Sequence, residues 1–231
     1  QFSFMGNLIN NTMLKFNYCY SFFTKKSYMY SLLSNSSVSD PLNYFTMPYM
    51  YTNEEITLST AKGYLLQKKN NNTDTIVYQL HGGGYVEKYK LKYNLIALKY
   101  AQYLNSIVFS LDYRTAPENP FPAALIDAYE GYNYLLQKYP NKNIVIAGDS
   151  AGGGLAVALT LYLKDNNQKL PACLILASPW VDLTATGDSY IDNYLTEPFF
   201  GTYDINNKNK YPVPLMYTEE NNISNHNAYP I

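Results

Sequence analysis

Hydrophobic residues along this chain change their spacing repeatedly, and from about residue 75 onward two regular spacings alternate. Short runs of β-branched, aromatic and other apolar residues predict strands, whereas apolar residues three and four positions apart predict amphipathic helices. Strands are predicted at residues 75–80, 106–111, 143–147 and 172–177, and helices with apolar stripes are predicted at residues 93–104, 125–136 and 155–162.

This alternation predicts an α/β fold in which a mostly parallel sheet is covered by helices on both faces. Residues 55–58 and 63–68 predict two shorter strands that begin the sheet in antiparallel fashion. The apolar run at 172–177 contains Cys173, which we expect to be a small buried core residue. Ligands of such sheets bind outside the carboxyl ends of the strands. A glycine-rich segment follows two of the predicted strands at these ends, so we expect a functional site there.

One of these segments is Gly148-Asp149-Ser150-Ala151-Gly152, a G-x-S-x-G sequence between a predicted strand and a predicted helix. A sharp turn there exposes a serine hydroxyl above the sheet, and the flanking glycines avoid collisions with neighbouring backbone. The helix N-terminus directs N–H groups toward a reacting carbonyl. A glycine-rich helix entry also binds phosphate, but the dinucleotide and P-loop patterns are absent. Ser150 is therefore the predicted nucleophile.

The other segment, His81-Gly82-Gly83-Gly84, directly follows the strand predicted at 75–80. Three consecutive glycines indicate that the backbone itself approaches a ligand closely. With a serine nucleophile downstream, that ligand is the oxyanion of a tetrahedral intermediate, bound by N–H groups from this loop and from Ala151. The two segments together predict a nucleophile with its oxyanion hole.

Composition narrows the alternatives. The chain has 231 residues, 47% of them hydrophobic, and a formal net charge of −1, which suits one globular core and gives no sign of a nucleic-acid partner. No apolar run approaches the roughly 18 residues of a membrane span, and no signal-peptide pattern is present, so a cytoplasmic location is the default expectation. Cys19 and Cys173 make neither a disulfide framework nor a metal site. We attribute the 26 tyrosines to codon bias at permissive positions rather than to ligand binding.

The chain resembles the hormone-sensitive-lipase-like carboxylesterases of the α/β-hydrolase superfamily. The resemblance is specific over residues 75–185 and looser over 48–74 and 186–231. It is carried, in order, by the segments His81-Gly82-Gly83-Gly84-Tyr85, Asp112-Tyr113-Arg114-Thr115-Ala116-Pro117-Glu118, Pro120-Phe121-Pro122-Ala123, Gly148-Asp149-Ser150-Ala151-Gly152-Gly153 and Ser178-Pro179-Trp180-Val181-Asp182-Leu183. It implies an α/β-hydrolase fold and a lipase-like serine hydrolase of small-molecule carboxylic esters, with short to medium acyl chains and no cofactor.

The resemblance also implies roles for regions and residues. Residues 1–45 are expected to form an N-terminal helical cap segment, and residues 46–231 the α/β-hydrolase domain. Gly83, Gly84 and Ala151 would supply the oxyanion-hole N–H groups, and His81 would be structural rather than the base. The segment from Asp112 to Ala123, including Glu118, is expected to be a structural brace.

A serine nucleophile needs a base and an acid, which in this fold follow the serine in the order acid, then histidine. His226 is the only histidine after Ser150. The resemblance places both groups beyond Ile231, so we expect a C-terminally truncated fragment that lacks the last strands and helices and is nearly inactive alone.

Two alternatives stay open. In one, the triad is completed by His226 and an acid placed earlier than the family pattern has it. The acids available to it are Asp182, Asp188 and Asp192. In the other, the protein is a non-catalytic α/β-hydrolase-fold protein that binds a small molecule in the same pocket.

Overall fold

The computed structural model describes residues 51–70, 72–90, 92–184, 187–192 and 217–218. The predicted cap at residues 1–45 and His226 lie outside these residues. Residues 51–183 with 217–218 belong to one compact unit, and Thr184 and the 187–192 segment belong to another. The second unit contributes one short helix to the description, Ser189–Asp192.

The first unit is built on a six-stranded sheet with the order β1-β2-β4-β3-β5-β6. The first two strands pair antiparallel to each other, and β2 pairs antiparallel with β4, whereas the remaining neighbours are parallel. The predicted mostly parallel sheet with an antiparallel start is therefore confirmed. The strands are β1 Tyr51–Thr57, β2 Lys62–Lys68, β3 Thr75–Leu80, β4 Ile107–Asp112, β5 Asn143–Asp149 and β6 Cys173–Ala177.

Helices cover both faces of this sheet, as the amphipathic stripes predict. They are α1 Lys92–Tyr103, α2 Ala123–Lys138 and α3 Ala151–Asp165. The short helix of the second unit, Ser189–Asp192, is numbered α4. On one face, Ala97 and Ala101 of α1 pack against Val77 and Val108 of the central strands. On the other face, the hydroxyl of Tyr78 donates a hydrogen bond to the Ala128 carbonyl of α2.

Burial departs from the prediction at two places. Cys173 is exposed rather than a core residue, and Ile175 and Leu176 in the same strand are also exposed. The reason is that β6 forms an edge of the described sheet, where only β5 pairs with it. Leu104, predicted to end the α1 stripe, lies past the helix end and is 44% exposed.

The register of the central strands places the two glycine-rich segments side by side. Leu80, the last residue of β3, is the Cα partner of Gly148 in β5. Because neighbouring strands lie about 4.8 Å apart, the chain leaves the sheet at adjacent points after these residues. In the part of the chain that is described, no helix is long and apolar enough to cross a bilayer.

Candidate active site

Ser150 occupies a sharp turn between β5 and α3. Its backbone angles, φ 50° and ψ −121°, lie in a region that residues with a side chain rarely adopt. Hydrogen bonds fix the turn on both sides: the Ser150 N–H donates to the Ala177 carbonyl at 3.0 Å, and the Ser150 carbonyl accepts from Trp180 at 2.8 Å. Ser150 is only half-buried. The residue predicted as nucleophile thus sits in a strained, accessible turn at the start of a helix.

The glycines flanking Ser150 are required by close backbone contacts. A Cβ on Gly148 would collide with the Gly152 carbonyl, and a Cβ on Gly152 would collide with the carbonyl oxygens of Leu80 and His81. The second collision involves the chain just before the three glycines of the other segment. The helix entry and the glycine loop are therefore in direct van der Waals contact.

The glycine loop adopts a conformation that favours glycine. Gly83 has φ +117° and Gly84 has φ +62°, values that L side chains disfavour. The Gly83 carbonyl accepts hydrogen bonds from the N–H groups of Val86 and Glu87, which close the turn. Gly83 and Gly84 are half-buried, as Ser150 is.

Within the described ranges, the N–H groups of Gly83, Gly84 and Ala151 donate to no protein acceptor. These are the three groups that the resemblance assigns to an oxyanion hole. Ala151 is also the first residue of α3, where the positive end of the helix dipole favours a negative ligand.

Asp149 links the two segments. Its Oδ1 accepts a hydrogen bond from the Gly82 N–H at 3.2 Å. Partial burial raises the pKa of the Asp149 carboxyl, while the Gly82 N–H and Lys92 act in the opposite direction. The aspartate of the G-x-S-x-G sequence therefore ties the turn that carries Ser150 to the glycine loop.

His81 lies beneath the loop and is completely buried. Its Nδ1 lies 2.8 Å from the Gly82 carbonyl oxygen; because a carbonyl only accepts, Nδ1 carries the proton. Burial lowers the pKa of the imidazole to about 4. A buried, neutral ring that is bound to the backbone is placed to support the loop, in keeping with the structural role expected for it.

Several tyrosines around this loop were missed as functional candidates. Tyr113 stacks on the His81 ring with centroids 4.1 Å apart, and its hydroxyl donates to the His81 carbonyl at 2.6 Å. Tyr93 donates to the Gly82 carbonyl at 3.2 Å. The helical stripe indicated that Tyr93 faces the interior, but no pattern in the sequence indicated its partner.

The segment after β4 makes bracing contacts. The Arg114 guanidinium and its N–H both bind the buried carboxylate of Asp127 in α2, and the Ala116 N–H donates to the Tyr85 carbonyl. A groove of about 630 Å³ runs between this segment and the turn from β1 to β2, lined in part by Asp112 and Glu118. Neither the glycine loop nor Ser150 lines that groove.

The alternative acids lie in different surroundings. Asp182 is half-buried, whereas Asp188 and Asp192 are exposed. The His226 that would complete this alternative triad falls outside the described residues. No cluster of three histidine, cysteine or carboxylate side chains that could hold a metal ion occurs in the described part of the chain.

A family model for the alpha/beta hydrolase fold matches residues 77–227. The chain is 38% identical over 132 residues to an acetyl-hydrolase of Streptomyces hygroscopicus. This alignment covers 57% of this chain and 44% of the relative. It is 34% identical over 135 residues to an esterase of Acinetobacter venetianus, covering 58% of this chain and 44% of that protein. The chain thus spans less than half the length of these relatives.

Solved structures show the same likeness. The crystal structure of an esterase from the bacterial hormone-sensitive lipase family superimposes with a TM-score of 0.71 and 26% identity. The superposition covers 97% of this chain and 72% of that protein. The fold and the order of elements described above are therefore shared with esterases of that group.

Proposed function

This chain belongs to the hormone-sensitive-lipase-like family of α/β-hydrolase-fold proteins, and we propose that the whole protein is a serine hydrolase of carboxylic esters. Ser150 is the proposed nucleophile. The N–H groups of Gly83, Gly84 and Ala151 are the proposed oxyanion hole. Small-molecule esters with short to medium acyl chains are the proposed substrates, and the names of the relatives support ester hydrolysis.

The observation that carries this proposal is the juxtaposition of Ser150 with unused donors. A half-buried serine at a positive φ stands at the start of α3. The glycine loop leaves the adjacent strand, and its Gly83 and Gly84 N–H groups have no acceptor among the residues that the structure describes. Backbone N–H groups held in advance stabilise a developing negative charge without reorganising during the reaction.

The proposed reaction has two steps. The Ser150 Oγ attacks the ester carbonyl carbon while a base takes the hydroxyl proton, and the carbonyl oxygen becomes an oxyanion held by the three N–H groups. Collapse of this intermediate returns the proton to the leaving alcohol and forms an acyl ester on Ser150. Water then attacks that ester while the base takes one of its protons, and a second oxyanion forms. Collapse of this oxyanion releases the acid as the base returns the proton to the Ser150 Oγ.

His81 is not the proposed base. Its Nδ1–H is bound to the Gly82 carbonyl, and its ring is enclosed by Tyr89, Tyr93 and Tyr113. With a pKa of about 4, the imidazole is also a poor proton acceptor at neutral pH. We therefore propose that the base and its acid come from residues that the structure does not describe.

The test is hydrolysis of p-nitrophenyl acetate and butyrate by the protein expressed from its complete gene. We expect turnover by the wild type and a loss of at least about a thousandfold in Ser150→Ala. A matched control is Ser110→Ala, which removes a buried hydroxyl in β4 that binds Gln79. Equal rates in the wild type and Ser150→Ala would refute the proposal, and tight binding of an ester analogue without turnover would favour a binding protein.

A further inference from the structure

The peptide between Gly82 and Gly83 is held at its carbonyl end. The Gly82 oxygen accepts two hydrogen bonds, from His81 Nδ1 at 2.8 Å and from the Tyr93 hydroxyl at 3.2 Å. In a trans peptide the C=O and the N–H point in opposite directions within one rigid plane. Two donors that fix the Gly82 carbonyl therefore also fix the direction of the Gly83 N–H.

The preceding peptide is held at both of its ends. The His81 carbonyl accepts from the Tyr113 hydroxyl at 2.6 Å, and the Gly82 N–H donates to Asp149 Oδ1 at 3.2 Å. Two consecutive peptide planes are thus anchored through every polar group except one. That one is the Gly83 N–H, which finds no acceptor within the described ranges.

We propose that the Tyr93 hydroxyl is a positioning group that aims the Gly83 N–H at the oxyanion. This inference rests on the proposed function, since Gly83 is one of the three proposed donors. Tyr93 touches neither Ser150 nor the oxyanion in this scheme and acts through the Gly82–Gly83 peptide.

Tyr93 and His81 have complementary parts in this arrangement. Two donors on a carbonyl polarise the amide and make its N–H a stronger donor, because hydrogen bonds in a chain reinforce one another. The centroids of the Tyr93 and His81 rings lie 5.0 Å apart. Each ring therefore packs beside the hydrogen bond that the other donates to the Gly82 carbonyl. Burial raises the pKa of the Tyr93 phenol, which keeps its proton available for donation at any ordinary pH.

If Tyr93 only stabilised the fold, Tyr93→Phe would lower kcat no more than the loss of a comparable hydroxyl elsewhere. Tyr132 supplies that comparison. The Tyr132 hydroxyl also donates to a backbone carbonyl, that of Lys169, at 3.1 Å. Tyr132 lies in α2, on the face of the sheet opposite α1, and Lys169 follows α3 in the chain. Replacing either tyrosine with Phe removes one hydroxyl that donates to a backbone carbonyl, in a buried bond for Tyr93 and a part-buried bond for Tyr132. Thermal stability is therefore measured for both variants.

The experiment compares Tyr93→Phe, Tyr132→Phe, Ser150→Ala and the wild type in the protein expressed from its complete gene. We expect kcat for p-nitrophenyl butyrate to fall about tenfold in Tyr93→Phe, with KM changed by no more than about twofold, because the lost orientation matters mainly in the transition state. Tyr132→Phe should retain the wild-type kcat. Phosphonate titration of active sites corrects each rate for the fraction of competent protein.

Equal kcat values for Tyr93→Phe and Tyr132→Phe, after that correction, would overturn the positioning role. A wild type no faster than Ser150→Ala would refute the proposed function instead. In that case kcat cannot be compared, and the amide resonance of ¹⁵N-labelled Gly83 tests the positioning role instead. A shift of that resonance in Tyr93→Phe but not in Tyr132→Phe supports it, and an unshifted resonance overturns it.

Discussion

The turn that carries Ser150 and the glycine loop beside it are held in place by different means. The turn depends on backbone geometry: a positive φ at Ser150, hydrogen bonds to main-chain groups and glycines that abut carbonyl oxygens. The loop depends on side chains, since Tyr93, Tyr113 and Asp149 each bind one of its peptide groups. Close backbone packing tolerates almost no added atom, whereas a side-chain hydrogen bond can be weakened or removed by substitution without a steric clash. The two halves of the proposed site should therefore respond differently to mutation.

The largest expected effect is on the free energy of unfolding, from a substitution in the turn that is held by backbone packing. Gly152→Ala places a Cβ against the carbonyl oxygens of Leu80 and His81, neither of which can move without shifting a strand end. We expect a loss of about 3 kcal/mol or more in the free energy of unfolding, measured by urea denaturation.

The control for that comparison is Gly82→Ala. Its Cβ would meet the Asp149 carboxylate first, and that side chain can rotate away, although the Asp149 carbonyl also lies close. A loss of about 1–2 kcal/mol is expected. Equal destabilisation by the two substitutions would remove the contrast between backbone and side-chain support.

A smaller effect concerns the stability of the loop against acid. The pKa of buried His81 is about 4, against 6.5 in the unfolded chain, so between these values the unfolded state binds the proton and the folded state does not. Stability therefore falls as pH drops through this window, by about 2 kcal/mol from His81 alone at pH 5.

Urea denaturation at pH 7.5 and pH 5 measures this contribution. The wild type should lose about 2 kcal/mol more between the two pH values than His81→Gln does, because glutamine does not titrate. Glu87 and Lys92 lie near enough to influence the His81 pKa in opposite directions. An identical pH dependence in the two proteins would contradict a buried, neutral His81.

The smallest expected effect tests the bond between the two segments. Asp149→Ala removes the acceptor for the Gly82 N–H, and we expect kcat/KM to fall about tenfold, the equivalent of one hydrogen bond. Asp149→Asn keeps an acceptor oxygen at the same position and should recover most of the activity. If both variants were equally impaired, the negative charge rather than the hydrogen bond would be what matters.

The elements and the motif placement were predictable because they depend on local pattern. Residues 75–80 form β3 with the predicted bounds, and the apolar stripes of the helices face the sheet. The exposure of Cys173 was not predictable, because an apolar run shows that a strand forms and not whether it lies at an edge. The antiparallel start of the sheet was predicted, but the position of β4 between β2 and β3 was not.

The tyrosines around the glycine loop show the same limit of prediction from local sequence. Abundance alone favoured codon bias at permissive positions, yet Tyr93 and Tyr113 are 2% exposed and bind the loop. Tyr93 lies 11 residues from its acceptor and Tyr113 lies 32 residues from its own. Such pairs form only when the sheet brings β3, β4 and α1 together, so no short motif contains both members of either pair.

Covalent trapping shows directly whether Ser150 is the nucleophile. The protein from the complete gene is treated with a fluorophosphonate, digested and mapped by mass spectrometry. We expect a single phosphonylated residue, Ser150, and no label in Ser150→Ala. Ester hydrolysis that continues while the label falls on another residue, or on none, would contradict it.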